Sequence, residues 1–227
     1  ISVLKDYYGK MGPFAMLDVV EEDENSHSKC HNVGKVIFIQ TRDINKAMLI
    51  CRNRCTTGCF HGILMEMFKE NTSYSYEHIE LEETKKSINT ICNKSEINSH
   101  VKIGACIHGL GHAFLSLANY NISTALTYCN LFKDKGSIYY CATGVFMERD
   151  IVYGNEDKAQ SDTHPCEMFD NFTIACYRYK IRRFFPPNTD FREVAKFCLE
   201  LDDTNERRGC FHGLGFGFYR YVYNTPK

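Results

Sequence analysis

No surplus of charge of either sign marks this sequence: 27 Lys and Arg stand against 28 Asp and Glu. That balance argues against a nucleic-acid binder, whose footprint is normally a basic excess. Long hydrophobic runs are missing too. The most apolar stretch, residues 103–120, is interrupted by His108 and His112, whereas a spanning helix needs about 20 predominantly apolar residues. The stretch therefore reads as a buried core helix. Phosphate loops, nucleophile elbows and dinucleotide fingerprints are absent. The chain begins at Ile1 with neither a Met nor a signal-like segment, the pattern of a processed mature chain or of a fragment whose targeting sequence has been removed. Its 44% hydrophobic and 24% charged residues belong to a folded globular protein rather than a disordered one.

What the sequence has in excess is cysteine, twelve in all, and the spacing is regular. Cys51 is followed by Cys59, Cys92 by Cys106, Cys129 by Cys141, Cys166 by Cys176 and Cys198 by Cys210, with gaps of 8, 14, 12, 10 and 12 residues. The second members recur at separations of 47, 35, 35 and 34 residues. Self-similarity near 34 residues is the signature of stacked helical hairpins, each too small to bury a core alone.

The segments after the second Cys follow helical steps, as in Ile107, Leu110, Phe114 and Leu117. Those before the first Cys read as helices over 43–54, 75–93, 123–132 and 190–201. Each unit is thus helix A, a Cys, a loop, a Cys and helix B. A bridge from the end of A to the start of B closes each hairpin, a span within disulfide reach. Cys30 and Cys55 remain, and pair as a bridge between units. Exchange among Cys51, Cys55 and Cys59 stays open. The expected fold class is all-α: a single solenoid domain over 1–227 with units near 12–42, 43–74, 75–120, 121–155, 156–187 and 188–227.

Zinc ligation is the rival use of these cysteines. Cys51-x3-Cys55 and Cys55-x3-Cys59 fit it loosely, but the remaining gaps are too long and too regular for structural zinc pairs. Disulfides imply an oxidising, extracellular compartment. Four N-x-S/T sequons, at Asn71, Asn93, Asn121 and Asn171, agree with it, because they fall in expected loops or at helix edges where glycans belong.

The A-L-x-x-C…C arrangement at Ala125, Leu126, Cys129 and Cys141 resembles the disulfide-stapled Sel-like repeats of secreted proteins, relatives of the tetratricopeptide α-solenoids. The similarity runs from about residue 12 onward and rests on period and Cys placement. It implies an α/α superhelix with a concave face for protein or peptide recognition, and no particular chemistry.

Helix B repeats a second feature, His-Gly, at 61–62, 108–109 and 212–213, with Thr143-Gly144 in the equivalent place. A catalytic centre is needed once, so threefold repetition favours a structural role in which glycine lets helices approach closely. The residues that break the repeat point elsewhere. His108 and His112 stand at i and i+4 on one helical face, a spacing that suits two imidazoles on one metal. The same column holds His61 and Met65 in the unit before and Thr143 and Met147 in the unit after, with Glu66 and Glu148 one residue further on. His61, His108 and His112, with or without a carboxylate from Glu66 or Glu148, make a candidate site for zinc or copper. The Glu of the metalloprotease H-E-x-x-H pattern is absent; in a hydrolase, Glu66 or Glu148 would act as base on metal-bound water.

Two surface features complete the reading. The basic-aromatic run 177–185 offers Arg178 and Arg182 to an anionic partner or simply to solvent. The closing segment 211–223 is aromatic where a solenoid cap would be polar, so Phe216, Tyr219 and Tyr223 are expected to meet either further chain or another molecule. The leading reading is a secreted, glycosylated helical-repeat protein that recognises or assembles other proteins. The alternative is an extracellular metalloprotein, enzymatic or not, built on the histidines.

Overall fold

The computed structural model describes residues 1–23, 26–71, 91–92, 103–161, 164–181 and 190–224. Among the described residues there are ten α-helices and no strand: α1 (Ser2–Glu21), α2 (Ser26–Thr41), α3 (Ile44–Cys51), α4 (Gly58–Asn71), α5 (Ile103–Leu117), α6 (Ile122–Cys129), α7 (Lys135–Gln160), α8 (Thr173–Lys180), α9 (Phe191–Glu200) and α10 (Thr204–Asn224). The A helices expected over 43–54, 123–132 and 190–201 are α3, α6 and α9. The one expected over 75–93 lies outside the described residues apart from 91 and 92.

Helix starts are encoded as side-chain caps. Asp43 accepts from the N–H groups of Asn45 and Lys46, Asn121 from Thr124, Asp134 from Ser137, Asp190 from Arg192, and Asp203 from Asn205 and Glu206. Each satisfies helix donors that have no intrahelical partner, a contribution of about 1 kcal/mol. Helix α1 is broken at Gly12-Pro13: Gly12 adopts φ 77, a left-handed conformation open to glycine, and Pro13 supplies no N–H.

All six disulfides pair as expected, five from the period and Cys30–Cys55 as the remaining pair. Cys51–Cys59, Cys129–Cys141 and Cys198–Cys210 close the hairpins α3/α4, α6/α7 and α9/α10. Cys92–Cys106 ties residue 92 to the first turn of α5, and Cys166–Cys176 ties the 3-10 turn Cys166–Met168 to α8. Cys30–Cys55 joins α2 to the 3-10 turn Arg54–Thr57. No cysteine is free, so zinc ligation by thiolates is ruled out. Six bridges indicate an oxidising compartment. Among the described residues no helix is long and apolar enough to cross a membrane.

The chain divides into two compact units, Ile1–Val145 and Phe146–Lys227. In the first, α2 packs on α1 and α4, and α4 on α5. Leu17, Ile37, Phe60, Ile63, Leu64, Leu110 and Phe114 are fully buried there. Glycine determines how closely these helices lie. A Cβ at Gly62 would strike the backbone carbonyl of His31, one at Gly58 that of His27, and one at Gly34 that of Cys59. The α5/α7 contact repeats the arrangement: Gly111 lies on the Cys141 carbonyl and Gly144 on that of His108. Each helix of a pair thus places a glycine against a carbonyl of the other, three residues before that helix's own glycine.

In the second unit α8 and α9 pack on α10. Its interior holds an ion pair, with Arg149 Nε and Nη2 donating to the fully buried carboxylate of Asp157 at 3.0 and 2.6 Å. Lys180, buried on α8, donates to the carbonyls of Ser161 and His164. Tyr177 hydrogen-bonds Glu206, and burial followed by that bond raises its phenol well above the ordinary range.

Candidate metal centre

Five histidines converge in the first unit. The close α2/α4 crossing is the cause. Gly58 and Gly62 bring α4 onto the backbone of His27 and His31, so the side chains of these two residues meet His61 on α4. On the other side, Gly109 leaves room for the His61 imidazole: a Cβ there would sit 2.8 Å from its Cδ2. Helix α5 then adds His108 and His112. Ring centroids lie 5.0 Å apart for His27–His31, 5.2 Å for His27–His61, 4.8 Å for His31–His112, 4.8 Å for His61–His112 and 4.8 Å for His108–His112. The His-Gly step at 61–62 therefore sets a packing glycine beside a clustered histidine.

Four of the five form a tighter set. One ring nitrogen each from His27, His31, His61 and His112 lies within 4.8 Å of the other three. His31, His61 and His112 are 4%, 1% and 0% exposed and His27 is half-buried. Burial, reinforced by the neighbouring imidazoles with His112 foremost, holds His61 neutral with a pKa well below 6.5. A neutral imidazole is the form that binds a metal.

Hydrogen bonds fix the tautomers of two of these imidazoles. The Cys55 carbonyl can only accept, so His27 donates to it through Nδ1 at 3.1 Å, and Nε2 is its basic nitrogen. The Thr57 hydroxyl donates to the Thr56 carbonyl at 2.5 Å, so it accepts from His61 Nε2 at 3.1 Å. His61 Nδ1 is then a bare lone pair, buried and with no hydrogen-bond partner. Both rings are thus anchored through one N–H, as metal-binding histidines usually are.

Both acceptors belong to one unusual segment. Cys55, Thr56 and Thr57 have φ of 54, 52 and 70, three consecutive left-handed residues without a glycine. Such residues cost about 1–3 kcal/mol each and persist where the surroundings over-determine them. Here the surroundings are Cys30–Cys55, Cys51–Cys59 and the Glu21 carboxylate, which accepts the Cys55 N–H at 2.6 Å.

Of the residues singled out in sequence, His61 and His112 belong to the set of four. His108 stands beside it, with Nε2 3.1 Å from His112 Nε2 and Nδ1 2.8 Å from Thr143 Oγ1. The set contains neither Glu66, half-buried on α4, nor Glu148, buried on α7 in the second unit. His27 and His31 were missed, although they repeat the i, i+4 spacing of His108 and His112. Among the other candidates, the Arg178 guanidinium lies 5.5 Å from the centroid of the half-buried Phe216 ring. Asn121 and Asn171 are exposed. Arg182 and Asn93 lie outside the described residues, as do the side chains of Tyr219, Tyr223 and Asn71. Comparison with protein-family models, curated proteins and solved structures finds no match to this chain.

Proposed function

We propose that this chain is a secreted metal-binding protein that holds one zinc or copper ion on His27, His31, His61 and His112. The observation that carries the reading is His61 Nδ1, a buried basic nitrogen without a hydrogen-bond partner, on a residue clustered with three further imidazoles. Leaving such an acceptor unsatisfied costs about 1–3 kcal/mol, a cost that a bound cation removes. An all-nitrogen donor set suits zinc or copper rather than calcium or magnesium. Four protein donors complete a tetrahedral shell, which favours a structural or carrier role over catalysis. The six bridges support secretion, and exposed Asn121 and Asn171 support glycan attachment.

Elemental mass spectrometry of the natively purified protein tests this, with His61→Ala and His31→Ala alongside. The expected result is near one equivalent of zinc or copper in the wild type and little in either variant. Chelation followed by re-addition should lower and restore the melting temperature; a ligand at 100 times its dissociation constant stabilises by about 2.7 kcal/mol. A wild type without metal that gains no stability from zinc(II) or copper(II) refutes the reading.

A second role, recognition of another protein, is supported in the second unit by Phe211 and Phe218, 37% and 53% exposed on α10. Size-exclusion of the natively isolated protein with Phe218→Glu as comparison tests it: a stoichiometric partner lost in the variant is the expected result.

A further inference from the structure

Thr57 has a role that rests on the metal-binding reading above. It stands immediately before α4, in the N-cap place, where a threonine ordinarily has extended backbone and lends its side-chain oxygen to an N–H of the first helical turn. Here φ is 70, a rare conformation for a β-branched residue. The oxygen goes instead to the side chain of His61, one turn into the helix, with Oγ1 3.1 Å from Nε2. The hydroxyl hydrogen is directed to the Thr56 carbonyl at 2.5 Å, so His61 Nε2 supplies the proton of the other bond. A ring nitrogen that donates a hydrogen has no lone pair for a metal. The atom His61 can offer is therefore Nδ1, which is buried with no hydrogen-bond partner. The backbone that brings the hydroxyl to this ring is held from three sides. Cys55 is tied to Cys30, Cys59 to Cys51, and the Glu21 carboxylate accepts the Cys55 N–H while also gripping Arg54.

We propose that Thr57 is a positioning residue of the metal site: its hydroxyl holds His61 as the Nε2–H tautomer and in one ring orientation, so that Nδ1 is the atom His61 gives to the metal. Without the hydroxyl the buried ring loses its acceptor at Nε2, and the two tautomers compete. A fixed acceptor behind a ligating imidazole also raises its donor strength, and loss of such a partner typically costs about 10–100-fold in metal affinity. Thr56 supplies the contrast: its backbone is left-handed too, with φ 52, but its side chain is exposed.

Two measurements on the full, disulfide-intact chain test this. Long-range 1H–15N correlations in metal-free wild type are expected to show His61 protonated at Nε2 and bare at Nδ1. The opposite tautomer overturns the proposal without recourse to any variant. Copper(II) titration with electron paramagnetic resonance then compares wild type, Thr57→Val, Thr57→Ser and Thr56→Val. Expected are an affinity about 10–100-fold lower in Thr57→Val, the same number of coordinated nitrogens, and near wild-type affinity in Thr57→Ser. Thr56→Val should bind like wild type, because it changes a neighbouring side chain and leaves the hydroxyl on His61 in place. Wild-type affinity in Thr57→Val overturns the proposal. So does an equal loss in Thr56→Val, which would assign the effect to the backbone of the segment. A wild type that binds neither copper nor zinc sinks the metal reading, and the tautomer, read without metal, then decides alone whether Thr57 orients His61.

Discussion

Replacing Gly62 with Ala probes the packing that assembles the histidines. The new methyl would fall on the His31 carbonyl, and Gly34 meets the Cys59 carbonyl in the same way from the other helix. Neither obstacle is the end of a flexible side chain, so α2 and α4 must separate by more than about 1 Å, an overpacking that typically costs about 1–3 kcal/mol and occasionally more. Alanine returns up to about 1 kcal/mol through helix propensity, leaving a net loss near 2 kcal/mol. At roughly 2–4 °C per kcal/mol for a chain of this size, the melting temperature should fall by about 4–8 °C. His61 immediately precedes Gly62, so the same separation exceeds the roughly 0.5 Å tolerance of a ligand constellation, and metal affinity should drop at least about tenfold. The double variant Gly34→Ala/Gly62→Ala adds a sharper condition. One separation relieves both clashes, so its cost should be less than the sum of the singles by about 0.5–3 kcal/mol. Calorimetry and metal titration read both quantities. Strict additivity, or a Gly62→Ala protein that melts and binds like wild type, refutes the argument that backbone contact at these glycines sets the site.

Three further outcomes follow from the second unit. Gly215 is exposed on α10 with open space around its absent Cβ, so Gly215→Ala should stabilise the protein by about 0.5–1 kcal/mol in chemical denaturation. Asp157→Asn removes the buried carboxylate that Arg149 grips, and should cost about 3–5 kcal/mol by the same assay; a loss under 1 kcal/mol would show that the pair is not an essential part of that interior. His212 is held below its usual 6.5, first by burial and then by Arg178 and Arg208. Its folded pKa being lowered, its contribution to stability is present above pH 6.5 and lost as pH falls through the folded value. Imidazole proton NMR should place the midpoint under 6.5, and Arg178→Ala should move it upward.

Much of the scaffold was legible because covalent period and helical period coincide: Cys129 to Cys141 and Cys198 to Cys210 enclose turns whose caps, Asp134 and Asp203, are also in the sequence. The bridge Cys30–Cys55 followed once the five hairpin pairs were assigned. The site was legible only where it shared the repeat. His61 and His112 could be aligned by stacking helix B on helix B, but that procedure looks forward to the next unit, toward Thr143, Met147 and Glu148. His27 and His31 of the set of four come from α2, where Cys30 is followed by His31 without the His-Gly step. Only the backbone contact through Gly34, Gly58 and Gly62 shows that α2 faces α4 so closely. Glu66 follows Met65 by one residue, and so by about 100° around the helix, and the column of histidines does not extend to it.

The left-handed run at Cys55, Thr56 and Thr57 has a consequence for how this protein can be improved or spoiled. A selection for heat resistance alone would favour glycine at both threonines, because glycine adopts those dihedrals without steric cost. At Thr56, whose side chain is exposed, that substitution is harmless to the histidines. At Thr57 it deletes the hydroxyl that receives the His61 proton. Neighbouring positions with the same backbone geometry are therefore opposites for an engineer, one a free gain in robustness and the other an exchange of ligand alignment for it.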